Sequence, residues 1–445
     1  MIQLHPTLSA DEVRHTCPRC QRLLEIVGWH IPGMRCLAEL VCEQCGDEFY
    51  GDLPAGQALY TPMLLNRRTG KVDNDFDNAD WFADWLQESF GTRTNEPVGM
   101  STEVDKQCGN HGQTGKRAAV LLNCLDTLYG HALLKLLNAQ YYIDKCPDLD
   151  LIVIVPRSLA WMVPSGVAQS WIVDLPLTRG KEWNDWIAGE IRRRVEAYET
   201  SYLSVAFSHP SACDYSIERF TGVKPFPLSR WDELLRHPSV TFIWRDDREW
   251  SVSESTLLNE QSRFAQRVNR YRSSAPERQQ KNVLLLAEAL RQQWSALDFA
   301  VVGLGKPGGF PSWITDLRRQ QIDVATERQW CTRYAASHIV VGVHGSNMLL
   351  PSAHAGATVE LVPSDRWGNI MQDFLSGCRE GVDDDVRQTM FRYRLLPIST
   401  SAQLVAQIVD SLLRLHHGMM LLMDRQSCRH DEIKDVSRWR FPQRS

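Results

Sequence analysis

Two blocks of short apolar runs, each alternating with helix-like stretches, dominate the chain from residue 116 onward. Alternation of this kind is typical of parallel sheets whose strands are joined by crossover helices. In the first block the run AAVLLNCL precedes a long amphipathic stretch, LYGHALLKLLNAQYYI, and the apolar runs LDLIVIVP and WIVDLPL follow. We therefore predict an N-terminal Rossmann-like domain over residues 116–235.

The second block begins at Val240 and predicts a C-terminal Rossmann-like domain over residues 236–370. Its segments, in chain order, are VTFIWR, a helical region over Glu254–Trp294, FAVVGLG, a helix near Trp313–Gln320, the run QIDVAT, a helix over Arg328–Ala336, IVVGVHGS and ATVELVP. A proline-rich stretch at 220–231 is the predicted hinge, and residues 371–445 are predicted to be mostly helical. The predicted fold class is α/β, with two Rossmann-like domains behind a small N-terminal module.

Four cysteines form that module's main signal, the pairs Cys17/Cys20 and Cys42/Cys45, which are separated by 21 residues. Two residues between thiolates let both sulfurs turn towards one tetrahedral ion, and Gly46 relaxes the second turn. The pattern predicts a structural Zn²⁺ site in a zinc ribbon over residues 1–60. The alternative is a redox role, which the presence of a second pair disfavours.

Residues 61–115 are interpreted as a connector. The acidic stretch VDNDFDNADWFADWLQESF predicts a short amphipathic helix that docks on a neighbouring module. Its apolar face comprises Trp81, Phe82, Trp85, Leu86 and Phe90. The polar, glycine-rich stretch that follows indicates a linker.

Composition narrows the possible functions. A chain of 445 residues is too long for one ordinary core. A net charge of −5 gives no global attraction to nucleic acid. The N-terminus lacks the regions of a signal peptide, no apolar run is long enough to span a membrane, and eight of the 12 cysteines are scattered. These features predict a cytoplasmic protein with free thiols.

The segment Val340–Asn347 carries the strongest functional signal. Its apolar run stops at His344, Gly345 and Ser346, and a helix-like stretch follows before ATVELVP. A turn at the carboxyl end of a buried parallel strand is where open sheets bind ligands. Gly345 permits close approach, Ser346 or Asn347 can cap the helix, and free helical N–H groups attract phosphate. We expect the His344 side chain to face a cleft and donate to phosphate.

The string VGVHGSNMLLPSAHAGATVELVP, within residues 338–363, resembles the G-x-H-G-A … P-G-x-x-V-x-E segment of glycosyltransferase family 61. Ser346 stands where that family more often has alanine, and weaker echoes lie at Asn123–Leu134 and Thr241–Glu249. With PSDRWGN after it, the segment is also similar to the ADP-heptose transferases. Both resemblances imply the GT-B architecture, a nucleotide-sugar donor and no metal requirement for transfer.

On this resemblance the second domain binds the donor. The implied donor-binding residues are Arg245, Arg248, Gly345, Ser346, Asn347 and Glu360. The arginines would hold the diphosphate after the strand VTFIWR, and Glu360 would hold the ribose hydroxyls. Glu360 lies within an apolar run, where a carboxylate is costly unless paired. His344 would stabilise the leaving group, and its loss is expected to reduce turnover without unfolding the protein.

Transfer to an acceptor hydroxyl also needs a general base, for which Glu, Asp or His serves. Asp126 and His131, which lie between AAVLLNCL and its helix, are the best placed. The other candidates are Asp174, His209 and Asp214. The acceptor is open between a glycan, a lipid-linked molecule and a protein, and the zinc ribbon is a candidate surface for a protein partner.

Two other functions compete with glycosyl transfer. The pattern Gly303-x-Gly305-x-x-Gly308, with Asp323 further on, fits the fingerprint of an NAD-dependent oxidoreductase. Pro307 disturbs the turn into a helix that this fingerprint needs. The second competitor is a catalytically inactive scaffold that recruits partners through the zinc ribbon.

Overall fold

The computed structural model describes residues 3–5, 15–53, 55, 63–73, 80–105, 118–205, 215–250, 275–373 and 391–423. The chain divides into two compact units, Met1–Phe220 and Thr221–Ser445. The described strands form three sheets, two with mainly parallel strands and one antiparallel. The fold class is therefore mixed α/β, as predicted.

The first unit contains eleven of the described strands and most of five helices. Its strands are β1 (Gln3–His5), β2 (Glu25–His30), β3 (Leu37–Val41), β4 (Glu48–Asp52), β5 (Leu64–Asn66), β6 (Val72–Asp73), β7 (Met100–Val104), β8 (Ala118–Asn123), β9 (Asp150–Pro156), β10 (Gln169–Val173) and β11 (Thr200–Ser204). Its helices are α1 (Asp80–Gly91), α2 (Tyr129–Leu137), α3 (Ala139–Lys145), α4 (Asp185–Val195) and α5 (Ile217–Thr221), with 3-10 turns at Arg157–Met162 and Leu177–Arg179.

Strands β2 to β6 form the antiparallel sheet in chain order. Strands β5 and β6 lie in the predicted connector, so that segment extends the sheet of the ribbon. Helix α1 docks as predicted, because Leu86 and Phe90 pack in one cluster with Tyr50 and Trp183. The side chains of Trp81 and Phe82 lie outside the described residues.

The first parallel sheet has the order β1-β11-β8-β9-β10-β7. Only β7 runs antiparallel, against β10. Strand β7 falls in the stretch that was interpreted as a linker, so that interpretation is partly wrong. The chain moves outward from β8 to β10 and then crosses to the other side of β8 for β11, so strand order reverses between β8 and β11. The long helix predicted after β8 is broken at Asn138 into α2 and α3.

The second unit contains six described strands and five helices. The strands are β12 (Ser239–Trp244), β13 (Asp298–Leu304), β14 (Ile314–Arg319), β15 (Ile339–Val343), β16 (Ala357–Val362) and β17 (Tyr393–Pro397). The helices are α6 (Trp231–Leu234), α7 (Ala275–Gln293), α8 (Val324–Ala335), α9 (Leu349–His354) and α10 (Ala402–Met423), with 3-10 turns at Leu228–Arg230, Ser346–Met348 and Ser364–Asp373.

All neighbouring strands of the second sheet pair in parallel, in the order β14-β13-β12-β15-β16-β17. Read in chain order, the strands run 3-2-1-4-5-6, so the order reverses between β12 and β15. Ligands of doubly wound folds bind beyond the carboxyl ends of the strands at such a reversal. Here Arg245 follows β12 and His344 follows β15.

Buried residues of α7 follow the spacing i, i+3, i+4 and i+7, which places one apolar stripe against the core. These residues are Val283, Leu286, Ala287 and Leu290, and they share a core with Val405, Val409 and Leu412 of α10 and with the strands of the second sheet. No helix in the described part of the chain is long and apolar enough to cross a membrane.

Three predictions for the second block are wrong. The apolar run QIDVAT forms no strand, because Asp323 caps α8 and Val324 begins that helix. The helix near Trp313–Gln320 is instead strand β14, because its backbone pairs with β13 from Phe299 onward. Pairing in a sheet overrides a local helical pattern. The prediction of a mostly helical C-terminal segment also missed strand β17, which forms the edge of the sheet beside β16. Residues 374–390 and 424–445 lie outside the described residues.

We expect acid to destabilise the second unit through His338. This ring is 1% exposed between Phe226 and Trp231, and burial lowers its pKa from 6.5 to about 4. The neutral ring is thus the folded form, and its contribution is complete above pH 6.5 and is lost as the pH falls towards 4. A difference of that size corresponds to about 3 kcal/mol.

Denaturant unfolding of wild type and His338→Asn between pH 7 and 4 tests this expectation. The asparagine oxygen can still accept from the backbone N–H of Ser239, which donates to His338 Nδ1 at 3.2 Å. The variant should lose less stability on acidification than wild type does. Parallel pH profiles would contradict the assignment.

Candidate functional site

The turn that follows β15 has a backbone that only glycine adopts readily. Gly345 has φ +146°, a region that disfavours side chains. A Cβ at this position would lie 2.5 Å from Arg245 Nη1 and 3.3 Å from Arg248 Nη1. Gly345 therefore lets two guanidinium groups approach the backbone of the turn.

The two arginines converge on one backbone oxygen. Arg248 Nη1 donates to the carbonyl of His344 at 2.7 Å, and Arg245 Nη1 donates to it at 3.4 Å. Arg245 is also held by the Asn347 side chain at 2.8 Å and by Asp247. Arg248 has no carboxylate within ion-pair distance among the described residues.

A third cation, Arg366, belongs to the same neighbourhood. It lies in the 3-10 turn after β16, next along the sheet from β15. Burial, followed by repulsion from Arg245 and Arg366, lowers the pKa of Arg248. Acidic Asp247 and Asp365 offset this repulsion only in part. The cluster therefore has the charge and the donor geometry to hold an anion.

The side chain of His344, which we expected to face a cleft, is buried. It is 3% exposed, and its Nδ1 lies 2.5 Å from Glu360 Oε2. Glu360 is fully buried and also accepts a hydrogen bond from the hydroxyl of Tyr393. The buried carboxylate thus has the partners that its cost of burial demands, and they are two side chains of the same unit.

The predicted capping of the following helix is wrong. Ser346–Met348 forms a 3-10 turn with no side-chain cap, and α9 has only six residues. Asn347 is used differently, because its oxygen accepts from Arg245 and its amide donates to the carbonyl of Val343 at 3.4 Å. The turn is therefore braced by side chains rather than by a helix cap.

In the first unit, Asp126 follows β8, beside the reversal of strand order in the first sheet. Its carboxylate lies 2.8 Å from Lys135 Nζ, and both side chains are buried. Although burial alone would raise the pKa of Asp126, the charge of Lys135 and the nearby ring of His131 hold it well below its usual range. A carboxylate so stabilised is a poor proton acceptor at neutral pH.

His131 is the accessible member of this group. Its side chain is 32% exposed, and its Nδ1 lies 3.6 Å from Asp126 Oδ1. An imidazole that is oriented by a buried carboxylate is an arrangement that serves proton transfer in many enzymes. The structure brings together the two predicted candidates and distinguishes between them by burial and pairing.

The other general-base candidates gain no support. Asp174 follows β10 and pairs with Arg157, which lowers the pKa of that carboxyl group. Asn123, in the segment that carries a weaker family resemblance, donates to the carbonyl of Gly33 at 2.9 Å and is buried. His209 and Asp214 lie outside the described residues.

The glycine pattern Gly303-x-Gly305-x-x-Gly308 does not open a helix. It begins within β13, which contains Gly303, and the next element is β14. Asp323 is the N-cap of α8, where its Oδ1 accepts from the backbone N–H of Thr326 at 2.7 Å. The required strand–turn–helix context is absent, which removes the structural basis for an NAD fingerprint at this position.

The four N-terminal cysteines can hold one metal ion. Their Sγ atoms lie within 4.8 Å of one another, close to the spacing that Zn–S bonds of about 2.3 Å impose on a tetrahedron. The two knuckles are matched, since Gln21 N donates to the carbonyl of Cys17 and Gly46 N donates to that of Cys42, each at 2.8 Å.

The two residues that follow the knuckles share an unusual conformation. Gln21 has φ +57° and Gly46 has φ +67°. The predicted role of Gly46 is therefore confirmed, and Gln21 occupies the equivalent position without the freedom of glycine.

The sequence analysis missed three residues of the Gly345 turn and of the Asp126 group, namely Lys135, Arg366 and Tyr393. Lys135 had a signal, because a single lysine in the apolar run ALLKLL needs a buried partner. Arg366 had a weaker one in its position just after a predicted strand. Tyr393 had none, since it comes close to Glu360 only through the pairing of β16 with β17.

No protein-family model matches the chain, and no curated protein matches it. Among solved structures, the E. coli ADP-heptose LPS heptosyltransferase II aligns with a TM-score of 0.35 and 12% identity, over 66% of this chain and 98% of that one. A GtfA/B complex aligns with a TM-score of 0.21 and 9% identity, over 94% of this chain and 76% of that one. Both TM-scores are low, so the assignment to glycosyltransferase family 61 stays a prediction from residues 338–363.

Proposed function

We propose that this protein is a metal-independent glycosyltransferase of the GT-B type, which moves a sugar from a nucleoside-diphosphate sugar to an acceptor hydroxyl. The observation that carries the proposal is the convergence of Arg245 and Arg248 on the Gly345 turn. This convergence lies where strand order reverses in an entirely parallel sheet. A diphosphate supplies the two negative charges and the planar oxygen pairs that guanidinium groups bind best.

Two residues of the proposed donor site, Glu360 and His344, have roles that differ from those expected from the sequence. Both carboxylate oxygens of Glu360 face donors of the protein, so we assign Glu360 to positioning rather than to the ribose hydroxyls. His344 then acts through its backbone. Its ring is fixed by Glu360, and its carbonyl oxygen receives both arginines. We assign His344 to shaping the turn that holds the phosphate-binding groups.

For the acceptor we assign His131 as the general base. Its Nδ1 faces Asp126, which orients the ring and stabilises the imidazolium that forms. In the proposed step the acceptor oxygen loses its proton to His131 and bonds to the anomeric carbon. The bond from that carbon to the diphosphate oxygen breaks, and the arginines stabilise the charge that develops on the departing diphosphate.

We also propose that the four cysteines bind Zn²⁺ with a structural role. A site with four thiolate ligands is closed, which leaves no position for a substrate. The metal therefore belongs to folding of the ribbon and takes no part in the transfer.

We expect Arg248→Gln to weaken donor binding strongly. Loss of one hydrogen bond between charged groups costs about 1.5–3 kcal/mol, or roughly 10- to 150-fold in Kd. Thermal shift and sugar-nucleotide hydrolysis with UDP-, GDP- and ADP-sugars would measure the effect. The control is Arg236→Gln, an exposed arginine before the amino end of β12.

The outcomes separate the competing functions. Stabilisation of wild type by one sugar nucleotide, lost in Arg248→Gln and kept in Arg236→Gln, supports the proposed transferase. Stabilisation by NAD alone would favour an oxidoreductase. A response to none of these ligands would favour a scaffold that binds partners through the ribbon.

A further inference from the structure

A pocket of about 420 Å³ lies within the first unit. Its lining shares no residue with the Gly345 turn, the Asp126 group or the cysteine cluster. It is bounded by the ribbon sheet, the end of α1 and one face of α4. Its charged lining consists of His30, Glu39, Arg67, Arg93, Asp185 and Arg192. We propose that this pocket binds a small, hydroxyl-rich anion of the sugar-phosphate class.

Guanidinium groups outnumber carboxylates in the lining of the pocket. The guanidinium groups belong to Arg67, Arg93 and Arg192, and the carboxylates to Glu39 and Asp185. Arg192 pairs with Glu39 at 2.9 Å, and Arg67 pairs at 3.0 Å with Glu48, which is outside the lining. Arg192 and Arg67 are thus already paired, and the guanidinium of Arg93 is the one that remains for a ligand.

Arg93 is fixed without a carboxylate partner. Its guanidinium lies over the ring of Phe90 at 4.3 Å and donates to the carbonyl of Phe90 at 3.0 Å. No carboxylate of the described residues comes within ion-pair distance of it. A guanidinium held in this way by an aromatic ring and one carbonyl retains donors for the oxygens of a phosphate.

Fixed acceptors complement these donors. Asp185 Oδ1 accepts from Trp183 Nε1 at 2.8 Å and lies 3.1 Å from His30 Nε2, and Glu39 is held by Arg192. Carboxylate oxygens have further lone pairs to accept hydroxyl donors. A polyol phosphate offers hydroxyl groups to such acceptors and phosphate oxygens to the guanidinium groups, so it matches both halves of the lining.

The aromatic residues of the pocket do not favour a nucleobase. Tyr50 and Phe90 are 7% and 6% exposed, because they pack on each other and on Trp183. They offer little ring face for stacking. A volume of 420 Å³ is at the small end of ligand pockets, which span roughly 300–1,000 Å³.

Gly189 keeps the pocket open on the side of α4. A Cβ at this position would meet no heavy atom within 4 Å. A Cβ therefore fits without a clash, and a longer side chain on it starts from the lining of the pocket. Glycine inside a helix is itself unfavourable. Gly189→Gln should fill the pocket while the helix remains folded.

Isothermal titration of the full chain with glucose 1-phosphate, glucose 6-phosphate, 3-phosphoglycerate, glucose and inorganic phosphate tests the proposal. At least one of the three phosphorylated compounds should bind, and more tightly than glucose or phosphate alone. Gly189→Gln should abolish this binding, and Arg93→Gln should weaken it at least tenfold. Arg68→Gln, an exposed arginine beside Arg67 that does not line the pocket, is the matched control and should bind as wild type does.

Arg248→Gln separates this pocket from the proposed donor site. Binding that survives in Arg248→Gln but is lost in Gly189→Gln supports the pocket, whatever the fate of the donor proposal. Binding lost only in Arg248→Gln, or no binding of any phosphorylated compound by wild type, overturns it. Binding of inorganic phosphate as tight as that of the sugar phosphates would also overturn the proposed ligand class.

Discussion

Removal of zinc by a chelator, or the substitution Cys42→Ser, is expected to unfold the ribbon sheet and to lower the thermal stability of the first unit. Structural zinc in small peptides contributes about 10–16 kcal/mol of apparent binding free energy, which couples directly to folding. Strands β5 and β6, of three and two residues, are too short to add much stability to this sheet.

The loss should spread beyond the ribbon. Cys17 and Cys42 are fully buried, and they belong to one apolar cluster with Leu121, Ile152 and Trp171 of the first parallel sheet. Hydrogen exchange after chelation should therefore increase over residues 15–53 and, to a smaller extent, in β8 to β10. The apolar core of the second unit is a separate cluster, so its exchange should change least.

Metal analysis and cobalt substitution provide the measurement. Wild type should bind one ion per chain and give the intense thiolate-to-cobalt absorption of a four-cysteine site, and Cys42→Ser should lose it. Cys146→Ser is the control, because this cysteine is outside the cluster. A wild-type protein that contains no metal and is insensitive to the chelator would refute the site.

The substitution His344→Ala is expected to reduce both stability and donor binding. Removal of one partner of a buried pair lowers the free energy of unfolding by about 3 kcal/mol or more. Loss of the His344 ring leaves the fully buried Glu360 with one fewer donor. This reverses the expectation from sequence that the fold would tolerate the change. The donor should bind more weakly as well. The backbone carbonyl of residue 344 receives Arg245 and Arg248, and the alanine variant loses the ring that anchors this part of the turn to Glu360.

A double-mutant cycle with Glu360→Gln separates the two effects. Coupling of more than about 1 kcal/mol in unfolding free energy would establish the pair as an energetic unit. His354→Ala is the control, because the ring of this buried histidine bonds to Thr221 and to the carbonyl of Leu350, and to neither arginine of the turn. It should lower stability and leave donor affinity unchanged. Full stability of His344→Ala, or destabilisation without loss of donor affinity, would contradict the assigned role.

The sequence by itself determined the features that depend on local pattern. The two cysteine pairs predicted the metal cluster, because chelation by paired thiolates needs only short turns. The apolar runs at β8, β9, β12, β13, β15 and β16 predicted buried parallel strands, because strands covered on both faces are continuously apolar. The glycine at 345 marked a turn at a strand end for the same local reason.

The tertiary structure decided what depends on pairing between distant segments. Strand β14 forms because β13 offers it hydrogen bonds, against its own helical pattern. The order 3-2-1-4-5-6 is set by how strands pair, and the pairing of β12 with β15 in this order brings Arg245 beside the Gly345 turn. Local sequence contains neither relation, since neighbours in a sheet are chosen by packing of the whole unit.

The candidate site residues differ in how accessible the fold leaves them. His344 and Asp126 both looked available in sequence, yet each is enclosed and held by a partner, Glu360 in one case and Lys135 in the other. His131, which the pattern placed on a par with Asp126, remains partly exposed beside the carboxylate that orients it. Residue type and spacing determined which groups could do chemistry, and the folded core determined which of them water and substrate can reach, because only packing sets exposure and proton affinity.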